Sequence, residues 1–341
     1  MTSPSSLADV RWHFSVFILL LGLAACADPP PAHSLEDPEV EFTVTPGTSF
    51  HQVTQVLEEE GLVERPFLFR SFARLRGDDE RVRAGTYRVP RDVGWRELLD
   101  TLVEGRVVTV ALTVPEGLTL EATARRIAGV VREEKGEVLQ RTLDPEGHRE
   151  WDVPGPGLEG YLFPDTYRFA PGVSLEEVLE TLVRRHRAFW TEARLQRLEE
   201  LEMEPREAVT LASIVQAEAR HESEMEVIAS VFHNRLRIGM PLQADPTVQY
   251  ALGERQHPLL YAHIEEVAGN PYNTYTHPGL PPGPIGTPGA AALDATLHPA
   301  ESDYLYFVAR SDGHHIFSRT LEEHNRARLQ LRREAGHSPE G

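Results

Sequence analysis

The residue best placed to do chemistry is Glu218. It lies in a helix-forming stretch, residues 206–220, in which Leu211, Ile214, Val215 and Glu218 share one face at about 100° per residue. The pattern puts a carboxylate on the buried stripe of an otherwise apolar helix, while Gln216, Arg220 and, further on, Glu224 fall elsewhere. Carboxylates are almost never fully buried without a partner, and desolvation favours their neutral form. A neutral carboxylic acid near pH 7 is what protonation of a leaving oxygen requires, that of a glycosidic bond included. Periodicity alone leaves a second reading open, in which Glu218 sits at the emerging end of the helix or is paired with Arg220 or Arg235.

The next apolar pattern, from Glu224 to Arg237, turns Val227, Ile228, Val231, Phe232 and Leu236 inward. Asn234 and Arg235 extend that face toward its C-terminal end, either into a cleft or as a helix cap and surface ion pair. Beyond lies a stretch rich in turn residues and aromatics, Tyr272-Asn273-Thr274-Tyr275 and then residues 279–285 with three prolines and two glycines. Proline fixes such a backbone and glycine permits unusual dihedrals. Tyrosine rings stack on pyranose faces, and amides and hydroxyls bond sugar hydroxyls and acetamido groups, so a rigid loop of this composition suits a glycan. A surface loop with no ligand fits the same composition. His298, His314, His315 and His324 are the candidates for a metal, but His314-His315 follows an Asp312-Gly313 turn and lacks helical ligand spacing.

The elements that must position these groups show a recurring design, a β-type run, a Pro/Gly turn and an amphipathic helix. It occurs at residues 42–57, 87–102, 112–127 and 167–182, with apolar positions three or four apart after each turn. Ser174, three residues before Glu177, reads as a capping box starting the fourth helix. The spacing is too irregular for a solenoid. We expect an α+β protein with a small module over 41–110, a larger catalytic domain over 111–332 and a disordered tail over 333–341. The first two units resemble the LysM-like fold, which binds amino-sugar glycans; a purely structural role for the module is equally open.

A hydrophobic content of 40% and 53 acidic against 34 basic residues, for a formal charge of −19, describe a globular chain and argue against nucleic acid as the main partner. Residues 14–25 form an apolar run of 12, with Arg11 before it. A membrane-spanning helix needs about 20 apolar residues and a signal-peptide core about 7–15, so an export signal over 1–26 is favoured over a permanent span. The run ends in Leu23-Ala24-Ala25-Cys26, which resembles a lipoprotein lipobox. Cys26 is the single cysteine of the chain, and lipidation would account for it; a short signal-anchor is the other reading. Residues 27–40 begin with Asp28-Pro29-Pro30-Pro31 and read as a stiff tether.

Taken together, these residues resemble the YceG-like endolytic murein transglycosylase family. The likeness runs through residues 158–167, 211–215, 234–240 and 242–248, then 272–275, 279–289, 298–300, 304–309 and His324-Asn325. It places the family's catalytic glutamate on Glu218, and it departs from many relatives at Gln216, where they carry a second glutamate. The resemblance implies cleavage of peptidoglycan strands to 1,6-anhydromuramyl ends, with no cofactor and no metal. It further suggests a place in the cell envelope, membrane-anchored and outside the cytoplasm, beside penicillin-binding synthases. Tyr161, Asn234, Asp245, Tyr272 and Asn273 are the candidates for binding or orienting the glycan. Two other functions stay open, a hydrolytic muramidase using Glu159, Glu222 or Asp245 as second carboxylate, and a non-catalytic peptidoglycan-binding envelope protein.

Overall fold

The computed structural model describes residues 38–144, 151, 153, 155, 157–256 and 258–336. The expected signal, Cys26 and nearly all of the tether lie outside these residues. The chain divides into two compact units between Val107 and Val108.

In the first unit, β1 (Glu39–Val44) pairs antiparallel with β2 (Gly85–Pro90), Phe42 facing Tyr87. Alternation buries Val40, Phe42 and Val44 on one face. Helices α1 (Phe50–Glu59), α2 (Pro66–Arg76) and α3 (Trp95–Glu104) complete the unit. Ser49 and Gln52 close α1 with reciprocal side-chain to backbone bonds, a capping box that satisfies two N–H groups. Leu57, Phe69 and Leu98 meet in the core. Helix α2 lies between the two strand-turn-helix units and was not expected; Pro66 starts it, and its apolar residues lack the long periodic run that marks the others.

The third and fourth strand-turn-helix units also find each other. β3 (Val110–Val114) pairs antiparallel with β4 (Asp165–Phe169), and α4 (Leu120–Val131), α5 (Lys135–Leu143) and α6 (Leu175–Phe189) belong to this part. Ser174 caps α6 by accepting the Glu177 N–H at 3.2 Å. Their core gathers Leu112, Ile127, Leu158, Leu162 and Leu179.

The helical part that follows holds the expected acid. It runs through α7 (Glu192–Glu200), α8 (Pro205–Glu218), a 3-10 turn (Glu222–Glu224), α9 (Met225–Arg237), α10 (Asp245–Leu252), α11 (Tyr261–Glu266) and α12 (Ala290–Leu297). A hairpin of β5 (Tyr306–Ala309) and β6 (His315–Ser318) leads to α13 (Leu321–Gly336). The helix continues through residues 333–336, which corrects the expectation of a disordered tail from 333. Among the described residues no helix is long and apolar enough to cross a membrane.

Helix α8 is the hub. Its residues from Ala208 to Val215 are all buried, and it packs on α9, α10 and α12. A helix apolar on every side belongs in a core. The turn before β4 meets it at Gly160, whose φ of +84° is one that L side chains rarely adopt. A Cβ there would come within 2.5 Å of Pro284 Cβ and 3.1 Å of Val209 Cγ1. Gly160→Ala should therefore destabilise the protein by about 2 kcal/mol or more, read as a lower urea midpoint at unchanged m-value.

Candidate active site

Burial of α8 leaves few polar side chains on it, and each has a fixed use. Ser213 Oγ donates to Thr210 O at 2.7 Å and accepts the Ile285 N–H at 3.0 Å. Gln216 Oε1 accepts the Gly289 N–H at 2.9 Å, at the start of α12. Thr287 joins this anchoring, exchanging backbone bonds with Gly117 and Leu118 at 2.7 and 2.8 Å. The glycine- and proline-rich loop over 279–289 is thus stitched to α8 and to the turn before α4. Gln216, set aside in the sequence, is a loop anchor.

Glu218 is the last residue of α8, and the backbone turns extended at Ala219. The side chain keeps a partial opening to solvent. Its carboxyl is pushed up to about 8, first by burial and then by the neighbouring Asp245 carboxylate. The Arg235 charge and the Asp245 backbone N–H oppose this. Asp245 is the first residue of α10, so its N–H is one of the donors a helix start leaves free. A cluster of hydroxyls fixes that helix start. Thr274 Oγ1 accepts the Ala244 N–H at 3.0 Å and bonds Thr247 Oγ1 at 2.8 Å, and Thr247 donates to Ala244 O at 2.7 Å. Tyr275 donates to Asp245 Oδ1 at 2.5 Å, and its own phenol is raised by burial and by that carboxylate.

Arg235 does not serve as an ion-pair partner for Glu218. Its Nε donates to Leu305 O at 2.7 Å and its Nη1 to Leu242 O at 2.6 Å, while the guanidinium lies 5.4 Å from the Tyr306 ring centre. The buried cation staples the ends of two loops and acts on Glu218 as a fixed charge. Arg220 lies beside Gly313 in the β5–β6 turn.

A second buried carboxyl is that of Glu159. Glu159 accepts the Leu120 N–H on both oxygens, at 2.9 and 3.0 Å, and the Tyr250 hydroxyl at 3.1 Å. Burial pushes it up to about 7 against those bonds. The Tyr250 ring centre lies 4.8 Å from that of Tyr272. Five residues separate Asp245 from Tyr250 on α10, about 7.5 Å of helix rise.

The expected ligand residues divide accordingly. Asp245 stands beside Glu218, and Tyr272 lines the aromatic arm with its phenol half-buried. Asn234 and Asn273 differ from expectation, because both amides are spent inside the fold. Asn234 is 5% exposed; its Nδ2 donates to Ser302 O and Tyr304 O, and its Oδ1 accepts from Arg237. Asn273 is fully buried, donating to Ile264 O and Val267 O and accepting the Tyr275 N–H. Tyr161 is 4% exposed and packs edge-on to His186, with its phenol pushed up to about 12 by burial. The histidines do not gather. His314 stacks on His221 at 4.0 Å, His315 Nδ1 bonds Glu224 at 2.8 Å, His324 stacks on Tyr306 and His298 is exposed. Glu224 is therefore also a structural anchor, held by the hairpin's backbone and imidazoles. Among the described residues no group of three or more His, Cys, Asp or Glu side chains has metal-holding geometry.

Reasoning from sequence missed Tyr275, Tyr250 and the hydroxyl pair Thr247–Thr274. Tyr275 and Thr274 stood in a quoted motif, but only pairing with α10 gives them a role.

The chain is similar to known proteins over nearly all of its described length. A sequence model of the YceG-like family matches residues 42–330. A Bacillus subtilis protein named endolytic murein transglycosylase is 32% identical over 305 residues, covering 85% of this chain and 84% of that protein. A Streptococcus pneumoniae protein of the same name is 27% identical over 84% of this chain, which spans 57% of the pneumococcal protein's length. The crystal structure of a YceG-like protein from Listeria monocytogenes superposes with a TM-score of 0.59 at 33% identity, covering 85% of this chain and 99% of that one. With that breadth of match, an α+β architecture and an acid at the end of α8, the chain belongs to the YceG-like family.

Proposed function

We propose that this protein is an endolytic lytic transglycosylase that cuts the β-1,4 bond between N-acetylmuramic acid and N-acetylglucosamine within peptidoglycan strands, with Glu218 as its acid and base. The observation that carries the reading is the Glu218 carboxyl, desolvated at the open end of a buried helix with Asp245 beside it. Relatives covering most of the chain bear the name of that activity.

Glu218 in its neutral form donates a proton to the glycosidic oxygen as the C1–O bond breaks. The resulting carboxylate is stabilised by the Asp245 N–H and the Arg235 charge. It then takes the proton of the muramyl C6 hydroxyl, whose oxygen closes on C1 to give the 1,6-anhydro end. Glu218 is neutral again, and no water is consumed. One carboxyl serves both steps, whereas hydrolysis ordinarily uses two. Glu159 is committed to Leu120 and Tyr250 and is assigned the shaping of the aromatic arm. Tyr272 and Tyr250 would stack on sugar rings. The module over 41–110 would hold glycan as a LysM-like unit, beside a strand-making synthase. Anchoring through an acylated Cys26 would hold the enzyme in the envelope; intact mass of membrane-extracted protein should show a chain starting at that residue, and a retained Met1 with an unmodified thiol would mean a signal-anchor.

Muropeptide analysis of products tests the reaction. We expect anhydromuramyl ends and no solvent oxygen-18, whereas labelled reducing ends would identify a hydrolase. Glu218→Gln should lower the rate by at least about 100-fold with the fold intact. It should also stabilise the protein increasingly as pH rises. The carboxyl keeps its proton to about 8 when folded but releases it near 4.5 when unfolded, so wild-type stability falls with pH across that window. The gap in Tm between variant and wild type should widen from pH 5 to pH 8.

Asp245→Asn tests the tuning. Removing the like charge lowers the Glu218 pKa, so the loss of kcat/KM on the alkaline side should move down by about one pH unit. An unmoved profile would assign Asp245 a different use.

A further inference from the structure

On the far part of α8 from Glu218, the helical region borders an open surface cavity of about 970 Å³. Its walls come from α7, α8, α9 and the loops over 279–282 and 299–302. Arg206 and Thr210 line it from α8, 12 and 8 residues before Glu218, which is about 18 and 12 Å along the helix. The cavity is thus separate from the acid along the helix.

The lining is charged with both signs. Arg197, Arg206 and Arg237 face Glu202, Glu207 and Glu301, in a protein whose formal charge is −19. Arg237 donates to the uncharged Asn234 Oδ1 at 2.8 Å and Arg206 to Pro282 O. Among the described residues neither guanidinium is paired with a carboxylate, so both keep donors for an incoming one. His233 stands on the same wall. Its Nε2 bonds Thr296 O at 2.9 Å, and because a carbonyl only accepts, that nitrogen carries the proton and Nδ1 is left as an acceptor. Burial and the charges of Arg197 and Arg237 lower its pKa, which keeps that acceptor free. Leu280, Pro281 and Pro282 add a stiff apolar side.

We propose that this cavity binds a short zwitterionic peptide, the stem that a muramyl lactyl group carries in peptidoglycan. The inference rests on the glycan-cutting reading above. Such stems present free carboxylates and an amine on the same few residues, matching arginines without carboxylate partners beside glutamates and a neutral imidazole. The peptide would fix which muramyl residue is presented to the acid, so it acts on KM and leaves the bond-breaking step alone.

Calorimetric titration of the purified protein with a free stem peptide of four residues tests this without any cleavage. We expect saturable binding with Kd of about 0.1–1 mM, weakened tenfold or more in Arg237→Gln. Ala300→Phe fills the cavity without removing a polar bond and should abolish it, which guards against a fold effect of the arginine change. On intact strands Arg237→Gln should raise KM about tenfold with kcat within twofold, and amidase-stripped strands should show that KM with wild type and variant alike. No peptide binding, acetate binding as tightly as the peptide, or equal KM for intact and stripped strands would each overturn the proposal. A failed transglycosylase assignment would instead appear in the product ends, with the titration unaffected.

Discussion

The structure depends on keeping a carboxyl protonated at the end of a helix buried on every side. Desolvation alone would do this, but an uncompensated polar group in a core costs a few kcal/mol. Burial raises the Glu218 carboxyl to about 8, and one backbone donor, the Asp245 N–H, is left to its charged form. The first residue of α10 acts in both directions, since its N–H meets the carboxylate while its side chain repels it. The two influences have opposite signs and one origin, so the start of α10 adjusts an acidity that burial sets first. This explains why the segment before α10 is tied so heavily through Thr247, Thr274 and Arg235.

The same demand explains the loop over 279–289. A core helix with side chains at Ser213 and Gln216 has hydrogen-bonding groups to satisfy, and a loop with prolines has backbone N–H groups at only some positions. Ile285 and Gly289 supply those N–H groups. Each side satisfies the other, and the loop becomes a rigid wall instead of a mobile flap. A glutamate at 216 would also accept the Gly289 N–H, so glutamine makes the contact without placing a charge on α8 close to Glu218.

The strand-turn-helix units were legible because their signals are local: turn residues, a period of two changing to one near 3.6, and a serine cap. All four were found, and they pair first with second and third with fourth, a pairing that local signals do not give. Glu218 was legible for a related reason. A carboxylate on an apolar stripe is a conflict between residue type and position, and the structure puts it desolvated at the end of α8. What periodicity could not supply was the partner, because Asp245 lies 27 positions further on in the chain and reaches Glu218 only when α8 and α10 pack.

The asparagines show where residue type misleads. Asn273 stands in a motif of turn residues and aromatics and Asn234 near the C-terminal end of α9, and an amide bonds a sugar acetamido group as readily as a backbone carbonyl. Which one it meets depends on whether loop backbone nearby lacks partners. Asn234 meets the loop carbonyls of Ser302 and Tyr304, and Asn273 meets those of Ile264 and Val267 at the C-terminal end of α11. In a site built from loops the first claim on an amide is the loop itself. Tyrosine escapes that claim better, because its ring offers a surface even when its hydroxyl is engaged. Tyr250 binds Glu159 by its hydroxyl and still presents a face toward Tyr272. The amides of Asn234 and Asn273 are thus spent on holding irregular chain in place.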